Sequence, residues 1–422
     1  MKRLAGPEAI IELIQPRSRL VLHSGCGEPL PFTATLADHI DALDGVSLTT
    51  MMPMGQARYA LANRRAQLDV RTFFPGKALR SALNRNGATL VRERLSRLPD
   101  LFESGAAGVD MLLLQVSEPD SSGRMSLGLS VDYMPAVLAR RPLVVALINS
   151  AYPRTQGDCF VTSDQIDYHV DGSAPVQTVE PTASGDPIDH RIADHVAGLI
   201  EDGDVLQIGI GSLPDLVLAR LGHRRDLGLH SGIVTDAVMP LIDSGVITNA
   251  GKTSFRGLSV ATMAAGSAEF YAALHDDRRF SFQSCALTHD PVRLAGIERL
   301  TAINGALEVD LTGAVNAEHV DGRIISAPGG LPDFAAGATV APDGRSIVAV
   351  RSTSKDGSTS RILARLDFDS PVTLPPGRID YLVTEHGVAR LRGLDGRRLS
   401  AAITDVAHPD FRGALRRRSE KP

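Results

Sequence analysis

Val205-Leu206-Gln207-Ile208-Gly209-Ile210-Gly211-Ser212-Leu213-Pro214-Asp215 holds a complete passage from strand to helix. The apolar run Val205–Ile210 ends in Gly-x-Gly. Pro214 falls in the first turn of the helix that follows, where a missing N–H costs little. Backbone amides at such a junction point at whatever sits above the sheet, which suits an anion or an oxyanion. The run is not a dinucleotide fingerprint, because Pro214 stands at the third glycine of G-x-G-x-x-G. A nicotinamide-dependent dehydrogenase would rest on Gly209 and Gly211 alone. Taken by itself, the segment reads equally as a ligand loop and as a tight packing turn.

Working outward, the same order recurs along the chain. Arg19–His23, Val46–Thr50, Met111–Val116, Leu143–Ile148, Arg299–Asn304, Ser346–Val350 and Tyr381–Thr384 are short apolar runs, too continuous for half-exposed strands. Helical patterns lie between them. The expected fold class is α/β, with parallel or mixed sheets covered by helices. The stretch 171–187, DGSAPVQTVEPTASGDP, has no periodicity and is rich in Gly, Pro, Ser and Thr. After it, Ile188, Ile192, Val196, Leu199 and Ile200 fall on one helical face. Two α/β domains are expected, residues 1–180 and 188–422, the second carrying the glycine loops.

The 422 residues are 43% hydrophobic and 22% charged, which excludes a disordered chain. Lys plus Arg is 44 against 49 Asp plus Glu, a net charge of -5 that offers no excess of cations to phosphates. Nucleic acid is not an expected partner. Aromatic residues make up 4%, with no tryptophan, so platforms for stacking bases or sugars are scarce. Arg416-Arg417-Arg418 reads as a solvated terminus. Cys26, Cys159 and Cys285 are far apart and odd in number, which gives neither a disulfide framework nor a CxxC metal pair. A reducing, cytoplasmic compartment is expected. Met1–Gln15 is broken by Glu8 and Glu12 and has no signal-peptide pattern. No apolar run approaches a membrane span, so no membrane partner is expected. Histidines and acids show no metal-ligand spacing.

Two further segments carry chemistry. Ser326-Ala327-Pro328-Gly329-Gly330-Leu331-Pro332-Asp333-Phe334 has adjacent glycines that admit close backbone approach and offer N–H groups for an oxyanion hole; a plain surface turn fits as well. Arg351-Ser352-Thr353-Ser354-Lys355-Asp356-Gly357-Ser358-Thr359-Ser360-Arg361 follows an apolar strand. It gathers hydroxyls and cations suited to a phosphate, though a solvated loop has the same composition.

These segments, in this order, resemble the acetyl-CoA hydrolase/transferase family of CoA-transferases. So do GCGEP at Gly25–Pro29, VSEPDSSG at Val116–Gly123, DLGLHS at Asp226–Ser231, TDAVMPLIDSGVITN at Thr235–Asn249, INGALEVDLTGAVNAE at Ile303–Glu318 and DYLVTEHGVARLRG at Asp380–Gly393. The resemblance runs from about residue 10 to His408–Phe411. It implies a two-domain CoA-transferase-like fold, an active site between the domains, and coenzyme A or an acyl-CoA as substrate with no tightly bound cofactor. It implies a carboxylic acid or other acceptor as co-substrate. A homo-oligomer, a dimer or larger, is the expected assembly. In the family a glutamate carboxylate attacks the acyl-CoA, and CoA thiolate then takes the glutamyl anhydride to a thioester.

The resemblance places that glutamate at Gly232, in Gly228-Leu229-His230-Ser231-Gly232-Ile233-Val234-Thr235-Asp236. Glycine supplies no carboxylate. Other implied roles survive: Asn304 in the active-site asparagine segment, Gly329 and Gly330 in the oxyanion loop, Gly209 and Gly211 in the glycine turn, Lys355 and Ser360 in the CoA loop. Pro332 donates no N–H, which weakens the polar side of the oxyanion loop. Candidate surrogates for the nucleophile are Ser231, His230 and Glu318. Glu318 reads more readily as structural, and His289 as a lone histidine. The expectation is a retained cleft with a vacancy at residue 232. Direct transfer to an acceptor, hydrolysis by a water in the vacancy, and a silent CoA-ester-binding protein or partner subunit are the open readings. On this reading Gly232→Glu alone restores transferase chemistry.

Overall fold

The computed structural model describes residues 1–180 and 185–419. The part of the expected linker at 181–184 lies outside them. The chain separates into two compact units. The first comprises Met1–Glu180 with Val260–Thr288 and Ile324–Gly329; the second comprises Pro181–Ser259, His289–Arg323 and Gly330–Pro422. The chain thus returns twice to the first unit after the Gly/Pro-rich stretch, a course that a single division near residue 180 does not express.

Among the described residues, the first unit holds an eight-stranded sheet. Its strands are β1 (Lys2–Arg3), β2 (Arg19–Leu22), β3 (Val46–Thr50), β4 (Leu68–Thr72), β5 (Thr89–Leu90), β6 (Met111–Val116), β7 (Leu143–Asn149) and β8 (Tyr168–Gly172). They lie in the order β1-β8-β7-β6-β2-β3-β4-β5, and every neighbouring pair is parallel. Parallel strands need both faces covered, which is why β6 is buried at every residue and reads as an unbroken apolar run. Leu20, Leu22, Leu48, Val70, Leu113 and Val145 form the core with Phe32 and Leu36.

The second unit holds β9 (Val205–Ile208), β10 (Gly228–Leu229), β11 (Leu300–Gly305), β12 (Arg345–Ala349), β13 (Tyr381–Thr384) and β14 (Gly387–Arg390), in the order β10-β9-β11-β12-β13-β14. All neighbours are parallel except the closing hairpin of β13 with β14. Helices α1 (Pro187–Gly198), α2 (Ser212–Leu218), α3 (Pro291–Ala295) and α4 (Leu331–Val340) belong to this unit. The amino ends of three strands are fastened by charge. Arg345 donates to Asp204 at 2.6 Å and to Glu201 at 2.7 Å, and Arg299 approaches the same acids at 3.0 and 2.9 Å.

Strand β9 ends at Ile208, two residues before the apolar run does. Ile210 is 40% exposed, and Gly211 takes a φ of 131°, a backbone conformation that favours glycine. The Arg416–Arg418 run, expected as a solvated terminus, is exposed and forms the last turn of the helix Pro409–Ser419. Cations there oppose the partial negative charge of the helix end, and Arg416 reaches Asp405 at 3.2 Å. Among the described residues no helix is long and apolar enough to cross a membrane.

Helices α3 and α4 approach so closely that a Cβ on Gly337 would lie 2.3 Å from Leu294 Cβ. Gly337→Val is therefore expected to cost about 1–3 kcal/mol of overpacking, outweighing any gain in helix propensity. A lowered denaturation midpoint for the second unit, at unchanged slope, is the measurement that checks it.

Candidate functional site

In the second unit the chain leaves β9 through α2 towards β10, whereas β11 and β12 lie on the other side of β9. The strand order reverses there. In open α/β sheets, ligands bind outside the carboxyl ends of the strands at such a reversal. A cleft of about 310 Å³ opens at this edge. It is lined by Leu213 after β9, Gly305–Leu307 after β11, and Arg351, Thr353, Ser354, Lys355 and Arg361 after β12, with Asp189 and Ile192 of α1. A larger cleft of about 700 Å³ in the first unit, lined by Leu127, Arg141, Asp158 and Asp164 among others, contains none of the motif residues.

The cations of the 310 Å³ cleft differ in what holds them. Arg351 is clamped to Asp189 by two contacts, of 2.9 and 2.6 Å, and to Asp186 at 2.8 Å. Asp186 also caps α1, accepting from the N–H groups of Ile188 and Asp189. Arg361 faces Glu308 at 3.4 Å. Lys355 is exposed at the edge of the cleft. Ser360, expected in the same loop, is not in the cleft lining; its hydroxyl donates to Ile362 O at 2.7 Å.

At the top of β11, Asn304 Nδ2 donates to Gln207 Oε1 at 2.9 Å, and Gln207 Nε2 returns a longer contact of 3.4 Å to Asn304 Oδ1. Gln207 went unassigned in the sequence. Its signal is an amide in the middle of an otherwise apolar buried strand, which burial obliges to find a partner. Gly209 faces open space, since a Cβ there would meet nothing within 4 Å. Gly211 begins α2.

The surrogate candidates are placed as follows. Ser231 is buried, and its hydroxyl donates to Ile208 O at 2.7 Å, which ties it to the strand. Glu318 is fully buried and accepts from Thr373 Oγ1 at 2.7 Å. His230 is buried, its ring edge-on to Phe334 at 6.5 Å. Gly329 packs in the first unit, with φ 56° and Phe74 Cε2 3.2 Å from where its Cβ would be. Gly330 is the N-cap of α4 in the second. Pro332 sits in the first turn of α4, where its missing N–H breaks no helical bond.

The expected vacancy at residue 232 is filled. A Cβ on Gly232 would lie 2.8 Å from His289 Nε2, and one on Gly330 would lie 2.5 Å from the same atom. The imidazole is wedged between the two glycines and packs edge-on against Phe334, with ring centroids 4.8 Å apart. An unfilled void would have cost its lining those contacts. Burial, with the neighbouring His230, pushes His289 down to about 3, so the ring is neutral at pH 7. The short strand before Gly232 is pinned by Lys252, whose Nζ donates to Leu229 O at 2.8 Å and Leu258 O at 2.7 Å. Burial lowers this ammonium to about 7. All three cysteines are free and buried, and burial raises Cys26 to about 12, far from a reactive thiolate. Among the described residues no group of three or more His, Cys, Asp or Glu is placed to hold a metal ion.

Residues 1–180 match the acetyl-CoA hydrolase/transferase N-terminal domain and residues 266–419 the C-terminal domain. The chain is similar to the 4-hydroxybutyrate coenzyme A transferase of Clostridium kluyveri, with 35% identity over 98% of this chain and 96% of that protein. The chain belongs to the acetyl-CoA hydrolase/transferase family. Two solved structures agree in fold over 99% of the chain. RipA from Yersinia pestis matches with a TM-score of 0.91 and 30% identity over 97% of its length. The 4-hydroxybutyrate CoA-transferase of Porphyromonas gingivalis matches with a TM-score of 0.84 and 30% identity over 96% of its length. The family matches fall in both units.

Two outcomes follow from the packing around Gly232. Gly232→Ala is expected to destabilise the second unit by about 1–3 kcal/mol, and His289→Ala in the same chain to relieve most of that cost. A double-mutant cycle of denaturation midpoints should return a coupling of at least about 1 kcal/mol; additivity would mean that the ring moves aside freely. Lys252 sets the sign of a pH effect. Between its folded value near 7 and the unfolded value near 10.4, the unfolded chain holds a proton that the folded chain has released, so stability rises with pH. Wild type should gain on the order of 4 kcal/mol more than Lys252→Met between pH 7 and pH 10.

Proposed function

We propose that this protein binds an acyl-CoA at the carboxyl edge of the second-unit sheet and acts on it without forming a glutamyl-CoA thioester. Gly232 carries the reading: no carboxylate stands at the position that the resemblance gives to the nucleophile, and an imidazole occupies the space beside it. An acceptor carboxylate held in the same cleft attacks the thioester carbonyl directly, giving a mixed anhydride and CoA thiolate; the thiolate then attacks the acceptor's carbonyl carbon, forming the new CoA ester and releasing the first acid. Placing thioester and acceptor together supplies much of the rate, and the Gly330 amide and the Asn304 amide offer hydrogen bonds to a developing oxyanion. Lys355 and the loop around it take the phosphates of the nucleotide end, with Gly209 and Gly211 leaving room for the thioester arm. Coenzyme A is substrate and product here, and a carboxylic acid is the family's usual acceptor.

The test follows free thiol and new CoA esters in mixtures of the protein with acetyl-, butyryl-, 4-hydroxybutyryl- or succinyl-CoA, with and without a carboxylic acid. Acceptor-dependent exchange supports direct transfer, thiol release alone supports hydrolysis, and binding without turnover supports a silent CoA-ester-binding protein. Hydroxylamine or borohydride should trap no CoA adduct on the protein in any of these. Lys355→Ala should weaken CoA binding roughly fivefold, the ~1 kcal/mol of an exposed ion pair. Unchanged affinity by calorimetry would remove Lys355 from the site. Gly232→Glu alone should not restore exchange, because its side chain must first displace His289.

A further inference from the structure

We infer that the Leu95 backbone N–H and the Asn84 side chain are positioning groups that fix the direction of the Gly330 N–H, the donor offered to a developing oxyanion. The inference rests on the reading that this amide meets that oxyanion, and it names what holds the donor in place. Ile324–Gly329 belongs to the first unit, although its flanking residues Arg323 and Gly330 belong to the second. The segment is tied at both ends. At its start, Ile324 N donates to Asn84 Oδ1 and Asn84 Nδ2 donates to Ile324 O, both at 3.1 Å. The same Nδ2 donates to Arg80 O at 2.7 Å, which fixes the side-chain amide to the end of the helix Gly76–Leu83. At the end of the segment, Leu95 N donates to Gly329 O at 3.1 Å.

That last bond sets a direction. The peptide joining Gly329 to Gly330 is trans, so its C=O and N–H point opposite ways. Drawing the oxygen to Leu95 turns the Gly330 N–H away from it. Gly329 leaves this peptide little freedom to rotate. Its φ of 56° favours glycine, and a Cβ there would lie 3.2 Å from Phe74 Cε2. The next peptide is anchored to α4, because Gly330 O accepts from Asp333 N at 3.1 Å and Phe334 N at 3.0 Å. Among the described residues no oxygen accepts from the Gly330 N–H, so the donor is held in place and left open. A hydrogen bond to the oxygen of a peptide also polarises the N–H of the same peptide. A donor fixed in this way needs no reorganisation when charge develops. Loss of the fixing bond therefore falls on turnover rather than on binding of the ground state.

Leu95 is the first residue of the short 3-10 helix Leu95–Arg97, and Arg94 before it is extended, with φ -86° and ψ 153°. Both conformations suit Leu95→Pro, which removes the N–H and leaves the course of the backbone. The full chain is assayed with acetyl-, butyryl- and succinyl-CoA, with and without a carboxylic acid, by thiol release and new CoA esters. Leu95→Ala keeps the N–H and measures what the buried side chain contributes. Relative to Leu95→Ala, Leu95→Pro should lower kcat at least about tenfold while KM for the acyl-CoA stays within about twofold. Asn84→Ala, at an exposed position, should lower kcat about threefold or more with the same split. Equal kcat in Leu95→Pro and Leu95→Ala leaves side-chain packing as the whole cause and overturns the inference. A loss in Leu95→Pro carried by KM instead of kcat overturns it as well. Should Leu95→Pro fail to fold, Asn84→Ala decides, and an unchanged kcat there overturns the inference. Acyl-CoA binding by wild type without turnover overturns it too, while leaving the binding reading intact. Absence of binding brings down both.

Discussion

One small volume governs the second unit: the space enclosed by Gly232, Gly330 and Phe334 holds a single side chain. The imidazole of His289 has it, and a Cβ at either glycine would come within 3.0 Å of its Nε2, so the ring must shift before either position can carry a side chain. In a close-packed interior such an occupancy is exclusive, because two groups cannot overlap and an empty site forfeits its contacts. The glycine at 232 is therefore one half of an exchange whose other half is 57 residues away along the chain, and neither half is intelligible alone.

That exchange matters because of where the sheet puts it. Strands β9, β10, β11 and β12 run parallel, so all their carboxyl ends open on one edge. The residues that end or follow each strand are collected there whatever their separation in sequence: Gly209 and Gly211, Ser231 and Gly232, Asn304 and Gly305, Arg351 and Lys355. The acids Glu201 and Asp204 and their arginines fasten the opposite edge. A rigid amino edge and a loop-bearing carboxyl edge divide the labour of the unit, as they do in other open α/β sheets.

The strands were legible because burial on both faces leaves a continuous apolar run, as in Met111–Val116 and Leu143–Asn149. Where a strand is two residues long, as at Gly228–Leu229, no periodicity can announce it. The sharing of segments between units was not legible either, since Val260–Thr288 differs in neither composition nor pattern from the chain around it. Lys355, at the edge of the cleft, stands in a cluster of hydroxyls and cations visible in the sequence, and Asn304 stands near the end of an apolar run. Ser360 could not be separated from its neighbours, because which hydroxyls turn back to the backbone depends on loop geometry. His289 looked like any lone histidine. Its environment is made by two glycines and a phenylalanine that only the tertiary fold assembles.

The return of the chain to its first unit bears on synthesis. Val131 N donates to Thr262 O at 2.9 Å, Cys285 N to Asp132 O at 2.9 Å, and Leu95 N to Gly329 O at 3.1 Å. A nascent polypeptide that has just cleared residue 180 lacks every one of those later partners. The eight strands of its large sheet are all in hand by Gly172, but the segments carrying Leu95, Val131 and Asp132 must wait, with those amides and carbonyls uncommitted, until roughly three quarters of the message has been read. Such long-range closure is slow, and it hands chaperones a clientele that a tidy N-to-C arrangement of modules would not.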